Sequence, residues 1–371
     1  MGDGTKPSAT GQDVRTTLPE NNLDLLRAIA VLCVFLDHLS GNVNLRTPFM
    51  IWLGQAGVQA FFVHTSLVLM ASLERDGAPN RNGWLPRFYL RRAFRIYPLA
   101  WVVIATVLLL QVPPGSLTTR FEPVSASKAL ANFALVQNLT GHSSVLAPLW
   151  TLPLELQMYA VLPFCFLVAR LDSRKWMAAL LIAGAAGTVF FIWGNLDAHR
   201  IPGLWRLDVL AFVPCFLMGV FAYWSLRRRR GMAPVLPTWS WVVIILADIA
   251  LLSFGWNRGW NWLIRMGFCG VLGFTIPIVR DAAPSLFTRV AHTIAVYSYG
   301  IYLIHLLALR VGFGVLREWP MPVQWLAVFA VLTVTVFLGY HLIEKPGIAL
   351  GQRLVGERKR AVSLEATAPA P

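Results

Sequence analysis

Ten stretches of this 371-residue chain are too long and too apolar to be shared with water. A helix crossing a bilayer needs roughly 20 mostly apolar residues. Runs of about that length lie at 23–40, 51–73, 93–112, 148–169, 176–193, 205–224, 238–256, 261–279, 294–312 and 321–342. The stretch 128–139, KALANFALVQNL, is too short and polar to cross and reads as interfacial or re-entrant. The expected fold is therefore an all-α integral membrane bundle of about ten transmembrane helices. Composition agrees: 56% of residues are hydrophobic and 13% charged, about half the charge of an ordinary soluble domain. The mean hydropathy is +0.59. Fifteen Trp and 22 Phe suit aromatic belts at the two interfaces.

A net charge of +14 on a soluble chain would suggest nucleic acid. Here the basic residues sit in short loops between apolar runs, where orientation and the anionic headgroups of membrane lipids account for them, and no nucleic-acid partner is expected. With the N-terminus placed in the cytoplasm, inside segments hold 22 of the 32 Lys and Arg, outer loops hold six, and four fall within spans. An even number of spans then returns the C-terminus to the cytoplasm. The chain divides into a cytoplasmic tail at 1–22, a transmembrane domain at 23–345 and a cytoplasmic, largely disordered tail at 346–371. The first 22 residues are polar, and the run after them reads as an uncleaved anchor. Cys33, Cys165, Cys215 and Cys269 all lie in apolar runs and read as buried free thiols.

Ionisable side chains inside spans are costly, which makes each a functional candidate. The first span, LDLLRAIAVLCVFLDHLS, places Arg27 near the inner face and Asp37 and His38 near the outer end. Arg27 and His38 are eleven residues apart, about three turns or 16 Å along one helix face. In PLWTLPLELQMYAVLP, Glu155 lies about two turns below the outer end of its span, at a depth matching His38. An intramembrane His and Glu at one depth can act as a general base and the group that orients it. Glu155 could equally pair with Arg206 or Arg265. His64 lies deeper, as a packing residue or one facing substrate; Asp37 is a second substrate-facing candidate. His305 and His341 fit hydrogen bonds of helix packing better than chemistry. Before the third span, RFYLRRAFRIYP sets Arg87, Arg91, Arg92 and Arg95 at helical spacing among aromatic residues. Such a cluster is either a positive-inside anchor or a phosphate site, and the sequence alone leaves both open. No metal-ligand spacing is present.

Taken together these stretches resemble the acyltransferase-3 family over roughly residues 22–350. The resemblance rests on a basic residue and a histidine with ten residues between them (Arg27, His38) and on GVQAFFVHTSLVLM, like the family's Gly-Val-x-x-Phe-Phe-Val segment. It rests also on Arg92-Ala-Phe-Arg95 before Ile96-Tyr97-Pro98, on LWTLPLELQ with Glu155 at the acidic position, and on the closing SYGIYLIH and LIEKP. His64-Thr65-Ser66 departs from a Ser-Gly ending common in the family.

The resemblance implies a ten-helix membrane enzyme, multi-pass in a bacterial plasma (inner) membrane. Its donor would be cytoplasmic acyl-CoA, acetyl-CoA in the expected case, with no metal. The group would go to a hydroxyl of a carbohydrate or lipid-linked glycan acceptor, alongside polysaccharide biosynthesis proteins. His38 would be catalytic with Glu155, while Arg27, Arg92 and Arg95 would hold the donor. Transfer could be direct or pass through an acyl-histidine. The chain has no esterase-like outer domain of the kind fused to some members, so transfer is expected to finish here or through a partner. The rival reading is a transporter or flippase that moves its polar or lipid-linked substrate unmodified.

Overall fold

Helices occupy all ten apolar runs, and what sets them apart is how much protein surrounds each. The computed structural model describes residues 18–115, 120–199, 201–254 and 261–365, with side chains excepted at 196–199, 251–254, 261–262 and 357–365. Among these residues there is no strand, only an isolated bridge between Leu236 and Val279. The helices are α1 (Glu20–Asn42), α2 (Pro48–Arg75), α3 (Trp84–Leu109), α4 (Ala126–Phe133), α5 (Gln137–Thr140), α6 (Thr151–Arg170) and α7 (Arg174–His199). They continue with α8 (Val213–Arg228), α9 (Trp239–Phe254), α10 (Asn261–Thr275), α11 (Leu286–Leu309), α12 (Met321–Gly339) and α13 (Lys345–Glu365). Seven of the described helical stretches are long and apolar enough to cross a membrane, which makes this a multi-pass membrane protein. The shorter α9 and α10 are apolar too, and α1, at 23 residues, carries Glu20, Asp24, Arg27 and Asp37.

Local sequence sets several of these boundaries. Thr47 caps α2 by accepting from the Met50 N–H, with Pro48 in the first turn, where its missing N–H costs nothing. Ser285 and Thr288 form a reciprocal capping box at the start of α11. At eight and four residues, α4 and α5 are far too short to span. The end of α4 is held against α3, where Tyr97 donates to the Ala134 carbonyl at 3.1 Å and Trp101 donates to that of Phe133 at 2.8 Å.

The centre of the bundle is α2. Its apolar window is 78% buried within the protein, against 17% for the Met321–Gly356 stretch, whose surface is left for lipid. α2 packs on α1 and α8, while α1 lies between α2 and α11. Gly54 and Gly57 of α2 permit this approach, because a Cβ at either would run into the Asp37 carboxylate or the Ala30 carbonyl of α1. The chain continues past residue 345 as helix α13. Pro98 has no N–H, so the Phe94 carbonyl one turn earlier lacks its helical donor, and Gly347 of α13 packs over it at 3.0 Å from a built Cβ. The end of the tail, residues 366–371, lies outside the described residues. The four cysteines are free and buried.

Candidate functional site

Arg27 and His38 each meet a partner on α11. Ser298, Tyr302 and His305 recur at spacings of four and three, so they form one stripe along that helix. The Arg27 Nε donates to Ser298 Oγ at 2.6 Å. Eleven residues along α1, His38 Nδ1 lies 3.1 Å from His305 Nε2, with ring centroids 4.9 Å apart. The two helices therefore run side by side in the same direction, with one polar contact near each end of the shared stretch.

Around Arg27 the bundle opens into two adjoining cavities. One is lined by Arg27, Phe61, Thr65, Thr151, Glu155 and Tyr302 among others. The second shares Arg27, Thr65, Glu155 and Tyr299 with it and adds His64, Arg92, Arg95 and Tyr159. With four lining residues in common, the two form one chamber region that reaches from Arg92 and Arg95 of α3 to Tyr302. Tyr302 ends it: its hydroxyl lies 3.0 Å from Thr151 Oγ1, its ring packs edge-on to Phe61, and its centroid is 6.3 Å from that of His305.

Glu155 lies on the first turns of α6, where it accepts from the Tyr159 hydroxyl at 3.1 Å. It belongs to the chamber with Arg27. Among the described residues no carboxylate pairs with the His38 ring; the group that touches it is His305. The two arginines offered as partners for Glu155 are engaged elsewhere, Arg206 over the Trp205 ring and Arg265 over that of Trp52. The arginine cluster before the third span divides. Arg91 makes a forked pair with Asp76, whereas Arg92 and Arg95 line the chamber, and Arg92 Nε is buried without a hydrogen-bond partner. Arg95 lies 4.0 Å from Glu344, a carboxylate only 1% exposed whose two oxygens accept no hydrogen bond.

The two positions expected to face substrate separate. His64, 5% exposed, lines the chamber beside Arg92 and Arg95. Asp37 is wedged against Gly54 of α2, 3.6 Å from Arg46, away from the chamber. In the unusual His64-Thr65-Ser66 run, Thr65 lines both cavities, while Ser66 bonds back to the Phe62 carbonyl at 2.8 Å. His341 meets the Tyr297 hydroxyl at 3.2 Å, as a packing residue should. His305, 1% exposed, makes its contact between helices with His38 itself. Tyr159, Tyr299, Tyr302 and Glu344 also join the site without having been singled out; the last three stand in the closing SYGIYLIH and LIEKP motifs, the one signal that could have found them. Among the described residues no group of three or more His, Cys, Asp or Glu is placed to hold a metal ion.

A helical membrane bundle with a cationic chamber leading toward a buried histidine defines a class, the membrane enzymes that pass an activated group between substrates. The family model described as an acyltransferase domain matches residues 20–343, and the chain belongs to the acyltransferase-3 family. It is 25% identical over 357 residues to the peptidoglycan O-acetyltransferase OatA of Listeria monocytogenes, covering 88% of this chain and 55% of that protein. It is 25% identical over 367 residues to nodulation protein 10 of Rhizobium leguminosarum, covering 91% of this chain and 96% of that one. The chain spans about half the length of the first of these relatives. No solved structure matches it.

Proposed function

We propose that the protein is an O-acetyltransferase of a bacterial plasma membrane, taking acetyl from cytoplasmic acetyl-CoA to a hydroxyl of a carbohydrate or lipid-linked glycan. The observation that carries this reading is the chamber itself, with Arg92 and Arg95 at one end, Glu155 and Arg27 in the middle, and Tyr302 beside the His38–His305 pair at the other. Acyl-CoA has the matching layout, phosphates at one end and a thioester at the other. Guanidinium forks suit phosphate oxygens, and the axial rise from Arg27 to His38, about 16 Å, leaves room for the pantetheine arm between. The printed name of the Listeria relative supports a glycan acceptor.

His38 acts as the base. It removes the proton of the acceptor hydroxyl as the oxygen attacks the thioester carbonyl; the C–S bond then breaks, and coenzyme A leaves as a thiolate that recovers the proton from the ring. The thioester is already activated, so the residues supply position and proton transfer. In this reading the ten segments cross with both termini in the cytoplasm, which the excess of basic residues in one set of loops supports.

Purified protein in liposomes, given labelled acetyl-CoA and a glycan acceptor, is expected to put label on the acceptor. Acceptor that crosses the membrane unmodified would make the protein a transporter instead. The orientation is tested by Arg228→Cys, which should resist an impermeant thiol reagent applied to intact cells.

A further inference from the structure

The His38–His305 contact fixes where the protons sit. His305 Nδ1 lies 3.1 Å from the Ile301 carbonyl oxygen, one turn back on α11. A carbonyl oxygen can only accept, so Nδ1 of His305 carries the proton, and in the neutral ring Nε2 is then a bare acceptor. That bare nitrogen faces His38 Nδ1 at 3.1 Å. His38 Nδ1 also lies 3.0 Å from the Val34 carbonyl oxygen, which again only accepts. Two acceptors converge on this one nitrogen. Were it unprotonated, three lone pairs would oppose one another in a buried site.

We infer that His305 is a positioning residue that, with the Val34 carbonyl, holds His38 in the tautomer protonated on Nδ1 and so makes Nε2 the nitrogen that takes the acceptor's proton. This rests on the reading of His38 as the base. The arrangement does with a neutral imidazole what a triad does with a carboxylate. As Nε2 takes the acceptor's proton, the Nδ1–H becomes part of an imidazolium and its bond to His305 Nε2 strengthens as a charge-assisted one. The barrier falls because this gain appears only while charge develops on the ring. When the thiolate of coenzyme A recovers the proton from Nε2, both rings return to their starting tautomers, with no net proton held. His305 is sealed for this task at 1% exposure, with the Phe35 and Tyr302 rings each 6.3 Å away by centroid.

The inference is tested in two ways on the full-length protein in nanodiscs. The first is nitrogen-15 NMR of ring-labelled histidine, with the His38 signals assigned by their loss in His38→Ala. They are expected to show a protonated Nδ1 and a bare Nε2; a proton on Nε2 overturns the inference. This reading needs no variant of His305 to fold.

The second is kinetic. His305→Gln keeps an acceptor within reach of His38, whereas His305→Leu removes it. The leucine variant should lose roughly 10- to 100-fold in kcat with the acetyl-CoA KM unchanged, as loss of one hydrogen bond to a charged group predicts, and the glutamine variant should recover most of that loss. Binding of acetyl-CoA by both variants shows that they are folded. Wild-type kcat in His305→Leu, or a glutamine variant no better than leucine, overturns the inference. Full activity in His38→Ala would instead defeat the assignment of the base, a failure separate from the tautomer measurement.

Discussion

Two polar clusters are buried along α1, and they are built on opposite terms. Around Arg27 the charges are mixed and numerous, with Arg92, Arg95 and Glu155 lining open space and Glu344 behind Arg95. Around His38 the groups are two imidazoles and two backbone carbonyls, packed closely with aromatic rings. A cluster with cations and room beside them can receive an anion, because unpaired buried charge is costly until a counter-charge arrives. A closed, neutral cluster is suited to holding one proton at one atom. The contrast separates binding from chemistry along a single helix, and substitutions at each end should move different constants.

The largest effect is expected at the neutral end. His38→Ala should lower kcat by about 10²–10⁴-fold, the range for loss of a general base, while acetyl-CoA still binds by isothermal titration. Loss of binding with kcat preserved would invert the comparison.

At the charged end, Arg92→Lys and Arg95→Lys keep the charge and remove the planar fork. Each should weaken acetyl-CoA binding by about tenfold while leaving its salt dependence in place, because lysine keeps the charge but meets phosphate as a point charge. Binding that ignores both substitutions would leave these arginines as a topological anchor.

Glu155→Gln sharpens the boundary between the clusters. Since Glu155 meets Tyr159 and shares the chamber with Arg27 rather than touching His38, the expected change is several-fold in the KM for acetyl-CoA, on the order of one altered charge–charge contact. A fall in kcat at constant KM would attach it to the base after all.

The smallest change should follow Asp37→Asn. This side chain is next to His38 in sequence but lies against Gly54 and Arg46, outside both clusters. Steady-state rates within about threefold of wild type are expected, because the buried Asp37 pairs with a largely exposed Arg46 and not with the His38 ring.

Periodicity and charge made much of this legible in advance. The apolar runs locate the helices because lipid demands length and apolarity together. Intramembrane cost singled out Arg27, His38 and Glu155, and each of them has a polar partner in the structure. Depth was the weaker guide. His38 and Glu155 share a depth estimate, yet depth along a helix says nothing of azimuth, and the two meet different neighbours. The partner of His305 was hidden for a related reason, since it is 267 residues away and no local pattern reports such a contact. The arginine cluster was ambiguous because Arg91 and Arg92 are adjacent in sequence and face apart, one to Asp76 and one to the chamber.

The segment Tyr340–Glu344, between α12 and α13, is a π-helical turn. Such a turn holds one residue more than an α-helix would in the same rise, and each α-helical residue turns the chain by about 100°. Here that phase brings Glu344 inward beside Arg95 while Gly347 and Gly351 pack on Phe94. The consequence is a sharp intolerance of length change. Deleting any one of these five residues would let α12 and α13 fuse into regular helix, yet rotate every later side chain by about a quarter turn. Substitutions here trim individual contacts; a single-codon deletion removes the register itself.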